Sequence, residues 1–356
     1  MDEDEFNTSQ KINSQSNENE HQPFTIKVSD RVTNLAGIEK LEEFNIKEFF
    51  EDVLKKHSTD EIEEYFTVGT KSTTPNIEDV DTNWPRPWVF FKTFIGAVVV
   101  YFLFVQGWKE FQNINLVPGL IIVGSFAVPI SALIFFVEVN ARRNISLYQV
   151  IRLVFMGGIL SIIISLILFQ VSDALKLNWL GASVAGIVEE PGKILTLLIV
   201  ANIRKYSYTL NGLLFGAAVG VGFAAFESAG YALYNGLVDP SPTAMMDNIM
   251  LRGMLSPFGH IVWTGMCGAA LWKVKGNNKF QFSMFSDPRF TRIFFIAAIM
   301  HMIWNSPLYL PFHLKYLILG ITAWIIIFGF IQEGLKQIKK EQISFINENK
   351  IIKMNA

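Results

Sequence analysis

Two adjacent glutamates and a lysine interrupt an apolar run of the sequence, in the order Glu189-Glu190-x-x-Lys193. The run, from about residue 179 to 201, is long enough to cross a bilayer as a helix. A charge at the centre of a membrane helix costs roughly 2.5–3.5 kcal/mol, so the motif indicates either a functional site or a buried ion triad that holds helices together. On a helix Lys193 lies one turn from both carboxylates and can neutralise one, which leaves the other as a proton acceptor. We expect Pro191 to kink the helix beside the pair.

Three later apolar runs contain further isolated polar side chains. Glu227 follows a stretch rich in glycine and alanine, His260 stands alone, and His301 and Asn305 are one helical turn apart. Singly, such residues are common as hydrogen-bonding links between helices. With a rise of about 1.5 Å per residue, these four and the two glutamates fall in one layer, about 9–15 Å below one membrane boundary, although alternate helices run in opposite directions. That agreement predicts one shared polar site.

The predicted site has the groups that peptide-bond hydrolysis needs: a base that activates water, donors for the oxyanion and an acid for the leaving amine. A buried glutamate can act as base and then as acid, and His301 and Asn305 can donate to the oxyanion. Alternatively, His260, His301 and Glu227 could bind Zn²⁺ with one position open for water. The sequence lacks the His-Glu-x-x-His motif of soluble zinc proteases. Buried acids and histidines also form proton relays, so a transporter is a further alternative.

The composition is that of a polytopic membrane protein, since 51% of the 356 residues are hydrophobic and only 17% are charged. Residues 1–87 contain 20 acidic and 9 basic side chains, whereas the remainder contains 12 and 21. This acidic region and basic membrane body do not indicate nucleic-acid binding. Cys267 is the only cysteine, which excludes an intrachain disulfide and a cysteine-based metal cluster. The N-terminus lacks the features of a secretory signal, so we expect insertion to rely on internal helices.

We predict an all-α polytopic membrane protein, a bundle of about eight transmembrane helices with a small acidic helical N-terminal domain. The acidic region is divided into a disordered segment (1–23), a helical domain (24–69) with caps at Asn45 and Ser58, and a linker (70–87). A transmembrane domain (88–332) and a basic tail (333–356) follow. The predicted spans are 88–106, 117–137, 150–171, 179–201, 210–235, 249–272, 292–311 and 314–332.

Basic residues concentrate in the loops after the second, fourth and sixth predicted spans and in the tail. The positive-inside rule therefore predicts that both termini are cytoplasmic. We expect a multi-pass protein of the bacterial cytoplasmic membrane. The N-terminal acidic domain is expected to dock on the membrane domain, or to bind a regulatory partner, rather than to perform chemistry.

Four motifs on successive predicted membrane helices resemble those of the PrsW family of intramembrane proteases, which is distantly related to the CAAX prenyl endopeptidases. They are Glu189-Glu190-x-x-Lys193, Phe223-x-x-x-Glu227, the isolated His260 and His301-x-x-x-Asn305. The resemblance covers about residues 88–332, and no motif position departs from it. In the prenyl endopeptidases the second motif ends in histidine, whereas here it ends in Glu227, so the arrangement around water can differ.

The resemblance implies an endopeptidase that cleaves membrane-embedded substrates, with anti-sigma factors as the associated class. By motif, Glu189 would be the water-activating base and Glu190 its partner, Glu227 and His260 would complete the site, and His301 and Asn305 would stabilise the oxyanion. This interpretation requires no cofactor. The alternatives are a zinc-dependent version of the same protease, a proton-coupled transporter, and a non-catalytic immunity or scaffold protein. A transporter would usually show paired inverted repeats, which are not evident in the sequence.

Overall fold

The computed structural model describes residues 24–201, 203–238 and 242–355, and all regular secondary structure in these ranges is helical. The segment 1–23, predicted to be disordered, lies outside the described residues. Three short helices precede the membrane domain: α1 (Phe24–Ala36), α2 (Ile46–Phe49) and α3 (Thr59–Phe66). The caps predicted for α2 and α3 are confirmed, because the Asn45 side chain accepts from the Lys47 N–H and the Ser58 side chain from the Glu61 N–H.

The membrane domain consists of longer helices, some of which are joined by short 3₁₀ segments. In the described residues they are α4 (Val89–Phe111), α5 (Val117–Glu138), α6 (Leu147–Ala174), α7 (Ala185–Val200), α8 (Thr209–Val238), α9 (Pro242–Leu255), α10 (His260–Lys275), α11 (Pro288–Asn305) and α12 (Leu314–Asn355). α6 contains one π-helical turn at Leu153–Gly157.

Among the described helices, five are long and apolar enough to cross a membrane: α4, α5 with its preceding 3₁₀ turn, α6, α8 and α12. The prediction of eight spans is therefore confirmed for five. α7 and α10 have 16 residues each, which is about 24 Å of helix against a hydrocarbon core of about 30 Å. The first part of the predicted span 179–201 is a separate 3₁₀ helix, Leu177–Val184, interrupted at Gly181, where φ is +55°.

The predicted span 249–272 is not one helix. The chain leaves α9 at Leu255, makes a 3₁₀ turn at Ser256–Phe258 and enters α10 only at His260. Gly259, between the turn and α10, has φ −115° and ψ −127°, which is outside the helical region. His260 is therefore the first residue of a helix and directly follows a non-helical residue.

α8 is the most buried of the five spanning helices and packs against α10 along a row of glycines. A Cβ on Gly212, Gly216 or Gly220 would meet backbone oxygens of α10. The close helix contact predicted from the small residues of this run is therefore confirmed. Because the contact at Gly220 is with His260 itself, it fixes the height of His260 beside α8.

The N-terminal region packs on α12, which continues as one helix past residue 332, the predicted end of its span. The Gln332 side chain accepts from the Glu42 N–H at 2.6 Å and donates to the Lys40 carbonyl at 2.8 Å. Phe49 is buried in the same core as the membrane helices. The acidic region thus contacts the membrane domain, and its binding to a regulatory partner stays a prediction.

Candidate active site

Glu190 and Lys193 on α7 form the fully buried floor of the site. Glu190 Oε1 accepts hydrogen bonds from Lys193 Nζ at 2.7 Å and from His301 Nδ1 at 2.9 Å. Lys193 Nζ also lies 3.5 Å from Glu189 Oε2. The lysine contacts predicted from the helical spacing are therefore present. α7 continues through Pro191 to Val200, and the kink expected there stays a prediction.

His260 links this ion pair to the carboxylate of α8. Lys193 Nζ lies 2.8 Å from His260 Nδ1. Because an ammonium group has only donors, Nδ1 accepts this bond and Nε2 bears the ring proton. Nε2 then donates to Glu227 Oε2 at 3.2 Å.

Glu227 is also held from a third helix, by Arg252, a residue that sequence reasoning missed. Arg252 on α9 donates through Nη2 to Glu227 Oε2 and through Nε to Ser228 Oγ, the latter at 3.0 Å. The sequence did contain a signal for this contact. Arg252 lies inside the predicted span 249–272, where an unpaired charge is costly, so a buried acidic partner was to be expected.

His301 lies one turn before the end of α11 and stacks on Trp263, with ring centroids 4.8 Å apart. Because a carboxylate only accepts, the contact with Glu190 fixes the proton on Nδ1. Nε2 lies on the side of Glu189, 3.8 Å from its Oε2. Asn305, one turn further along α11, lines the same cavity as His301. The structure therefore brings together all the residues that the sequence predicts for the site.

A cavity of about 970 Å³ opens beside this cluster. The predicted residues that line it are Glu189, Glu227, His260, His301 and Asn305. Glu190 and Lys193 are almost fully buried behind them. Glu189 Oε2 is buried and has no hydrogen-bond partner among the described residues. Of the two glutamates of α7, Glu189 is therefore the one that can meet a molecule in the cavity, and Glu190 positions the groups around it.

The charges of the cluster balance only if it holds one proton. In the described part of the site, three glutamates face two side chains with fixed positive charge, Lys193 and Arg252. An uncompensated charge is costly in such surroundings. One proton on either His301 or Glu189 would neutralise the cluster. These two side chains are therefore suited to hold and move a single proton.

A family model described as PrsW family intramembrane metalloprotease matches residues 146–331, just over half of the chain. The chain belongs to the PrsW family. It is accordingly an intramembrane protease with several membrane-spanning helices, and the protease class predicted from the sequence is confirmed. The PrsW match begins at the start of α6, so it does not include α4 and α5, although the resemblance was expected from residue 88. No curated protein and no solved structure matches the chain.

The description of the PrsW family implies a metal, and the donor set here fits zinc in type. Glu189, His260 and His301 have donor atoms that all lie within 4.8 Å of one another. Two histidines and one glutamate form a known catalytic zinc set. Glu189 Oε2 accepts no hydrogen bond from the described residues, and His301 Nε2 has no proton while the ring is neutral. With Glu190 behind the His301 ring, these atoms match the usual pattern of metal ligands and a supporting carboxylate.

This donor set differs from the expected ligands His260, His301 and Glu227 in its carboxylate. Glu227 is engaged by Arg252 and His260, whereas Glu189 has an oxygen to offer. His260 is the weakest member of the set, because both of its ring nitrogens already have partners.

Proposed function

We propose that this PrsW protein hydrolyses a peptide bond within a membrane-embedded segment of a substrate protein, with Glu189 as the base that activates water. The observation that carries the proposal is Glu189 Oε2 at the wall of the cavity, which accepts no hydrogen bond from the described residues and lies 3.5 Å from Lys193 Nζ. The buried pair of Glu190 and Lys193 supports it, because Glu190 keeps its charge and position while Glu189 exchanges a proton.

In the proposed reaction, a water molecule gives a proton to Glu189 as its oxygen bonds to the carbonyl carbon of the substrate. The oxyanion accepts hydrogen bonds from the Asn305 side-chain amide and from Nε2 of a protonated His301. The C–N bond then breaks, and the proton on Glu189 passes to the leaving nitrogen. The products are a carboxylic acid and an amine. The charge-balanced cluster with its proton on His301 starts this cycle with Glu189 ionised.

His260 and Glu227 act as positioning residues in this proposal. His260 accepts from Lys193 and donates to Glu227, which is itself held by Arg252. The chain of contacts keeps the lysine charge beside both carboxylates of α7. A loss of His260 would therefore misplace Lys193 rather than remove a proton-transfer group.

A zinc-dependent version of the reaction is the second candidate, and the donor set of Glu189, His260 and His301 favours it. A zinc ion bound there would polarise the substrate carbonyl and activate a water molecule. His260 would first have to release Lys193 or Glu227, because both of its nitrogens are engaged.

The substrates that we propose are single-pass membrane proteins of the anti-sigma-factor type, the class associated with the PrsW family. The proposed location is the bacterial cytoplasmic membrane, with both termini in the cytoplasm. Five apolar helices support a multi-pass protein, and the basic loops of the sequence support the cytoplasmic orientation of the termini.

The test is cleavage of a library of synthetic single-span peptides by the purified protein in detergent, read by mass spectrometry. Glu189→Gln keeps the shape of the side chain but cannot accept a proton, so the rate should fall by about 10²–10⁴-fold. Glu110→Gln changes an exposed glutamate of α4 and should keep the full rate. Undiminished cleavage by Glu189→Gln would contradict the assigned role. Loss of wild-type cleavage in a strong chelator, with zinc found by metal analysis, would favour the zinc-dependent version.

A further inference from the structure

Helices α6 and α8 touch through their backbones at one point and lie on either side of the cavity beyond it. A Cβ on Gly158 would meet the backbone of Gly222, and a Cβ on Gly222 would meet the backbone of Val154. From this crossing α6 continues to Ala174 and α8 to Val238. Beyond the crossing, residues of both helices line the cavity, so an opening lies between them there.

The two walls of this opening have the same helical spacing. Among the residues that line the cavity, four on α6 and four on α8 follow the positions i, i+3, i+4 and i+7 of a helical face. These faces are Ile162, Ser165, Leu166 and Phe169 on α6, and Glu227, Gly230, Tyr231 and Tyr234 on α8. We call this opening the α6/α8 crevice.

The α6/α8 crevice connects the outer surface of the helix bundle to Glu189. Leu166 is 60% exposed and Tyr234 is 61% exposed, so the mouth of the crevice faces the surroundings of the bundle. Ser165, on the same face of α6, is only 3% exposed and packs against Gly192, one turn from Glu189. Because α6 and α8 both have the length and apolarity of membrane-spanning helices, the mouth opens toward lipid.

We propose that the α6/α8 crevice is a lateral entrance for one membrane-spanning segment of a substrate protein, which binds there as a locally extended stretch. The inference rests on the proposed function, since it identifies how a substrate reaches the same site. In an intact helix the carbonyl to be attacked is hydrogen-bonded within the helix, so hydrolysis requires local unwinding. In lipid, each backbone group freed in this way must find a new partner or costs several kcal/mol.

The lining of the cavity offers such partners. Ser165 Oγ and Asn248 Oδ1 are buried, line the cavity and have no hydrogen-bond partner in the described part of the chain. A hydroxyl can donate to a freed carbonyl, and an amide oxygen can accept from a freed N–H. A lipid acyl chain would need neither group. These two atoms therefore favour an extended peptide over lipid as the occupant.

Disulfide crosslinking tests the entrance without requiring hydrolysis. The probe is a lysine-flanked polyleucine peptide of about 20 apolar residues, with a central Gly-Ala-Gly and one neighbouring cysteine. Leu166→Cys and Tyr234→Cys, each in Glu189→Gln protein, provide thiols at the mouth, and native Cys267 is fully buried. Ile321→Cys is the matched control, because Ile321 is 49% exposed and lies about as far from the start of α12 as Leu166 lies from the end of α6.

We expect crosslinking to the peptide to be about tenfold higher at Leu166 and Tyr234 than at Ile321, as for a binding preference of ~1.4 kcal/mol. Equal yields at all three positions, or no crosslinks at any, would overturn the proposal and indicate that only lipid occupies the crevice. Failure of the protease assignment is a separate result, because it would appear as absent cleavage in the peptide library while the crosslinks remained.

A second variant blocks the crevice. A Cβ on Gly230 meets no atom within 4 Å, so Gly230→Phe places a ring in open space between the walls. Gly96→Phe is its control, because Gly96 lies in α4 and is equally unobstructed. We expect Gly230→Phe to reduce the crosslink at Tyr234 about tenfold and Gly96→Phe to leave it unchanged. The same yield from both variants would overturn the proposal.

Discussion

Lys193 is the residue on which the geometry of the candidate site depends most. Its Nζ lies 2.7 Å from Glu190 Oε1, 2.8 Å from His260 Nδ1 and 3.5 Å from Glu189 Oε2. It also lies 4.2 Å from the centroid of the Phe223 ring. Because Lys193 is fully buried, only these neighbours can stabilise its charge.

Replacing Lys193 by methionine should leave two adjacent carboxylates without their cation. Breaking a buried ion pair costs about 3–5 kcal/mol, so we expect a lower Tm and loss of cleavage. Adding Glu190→Gln should restore part of the stability, because it removes one uncompensated charge. Thermal unfolding in detergent measures both effects, with Lys109→Met, at an exposed position of α4, as the control. A Tm of Lys193→Met equal to that of the control would contradict this prediction.

For individual side chains, the sequence predicted which carboxylates and histidines meet, because each is a rare polar group in an apolar run. It did not predict the partner of Glu227. Arg252 lies only three residues inside the predicted span 249–272, where a long basic side chain is expected to reach the membrane boundary. Its contact with Glu227 depends on how α9 packs on α8, which charge and spacing do not reveal.

Two backbone features bring His260 to Glu227: the break between α9 and α10, and the glycine contact between α8 and α10. The spacing of the glycines predicted the second feature. The first was missed because the sequence is apolar on both sides of Pro257, and a proline can either kink a helix or end it. α7 contains Pro191 within one helix, and the kink expected there stays a prediction.

The glycine contact can be tested at Gly220. A Cβ there would meet the carbonyl of His260, so Gly220→Ala must push α8 and α10 apart. We expect a loss of about 1–3 kcal/mol of stability and slower cleavage. Gly96→Ala, on α4, meets no atom within 4 Å and should be neutral or stabilising by about 0.5–1 kcal/mol. Thermal unfolding and peptide cleavage check both variants, and the prediction is wrong if the two behave alike.

The whole molecule is a helix bundle around α8, and the N-terminal region packs on this bundle through contacts with α12. Gln332 and Gln342 bond to backbone groups of that region, and Lys336 pairs with Glu39 and Glu42. Composition predicted an acidic region distinct from a basic membrane body. The sites of attachment could not be predicted, because they join residues 262 to 297 positions apart and follow no local pattern.

Gln332→Ala should loosen the N-terminal region without unfolding the membrane domain. The variant loses hydrogen bonds to the Glu42 N–H and the Lys40 carbonyl, worth about 0.5–1.5 kcal/mol each. Hydrogen exchange followed by mass spectrometry should therefore be faster in peptides that cover residues 38–50. Gln106→Ala, at an exposed position of α4, is the control. Unchanged exchange in residues 38–50 would show that other contacts hold this region.

The length of α12 sets a distance that can be used in spectroscopy. Its 42 residues correspond to about 63 Å of helix, and a bilayer core accounts for only about 30 Å of that. The remaining turns form a rod about as long as the membrane is thick. A donor fluorophore on Lys353 and acceptor dyes on lipid headgroups should thus be separated by a distance near the working range of resonance energy transfer. The measured transfer would report the orientation of the protein in vesicles.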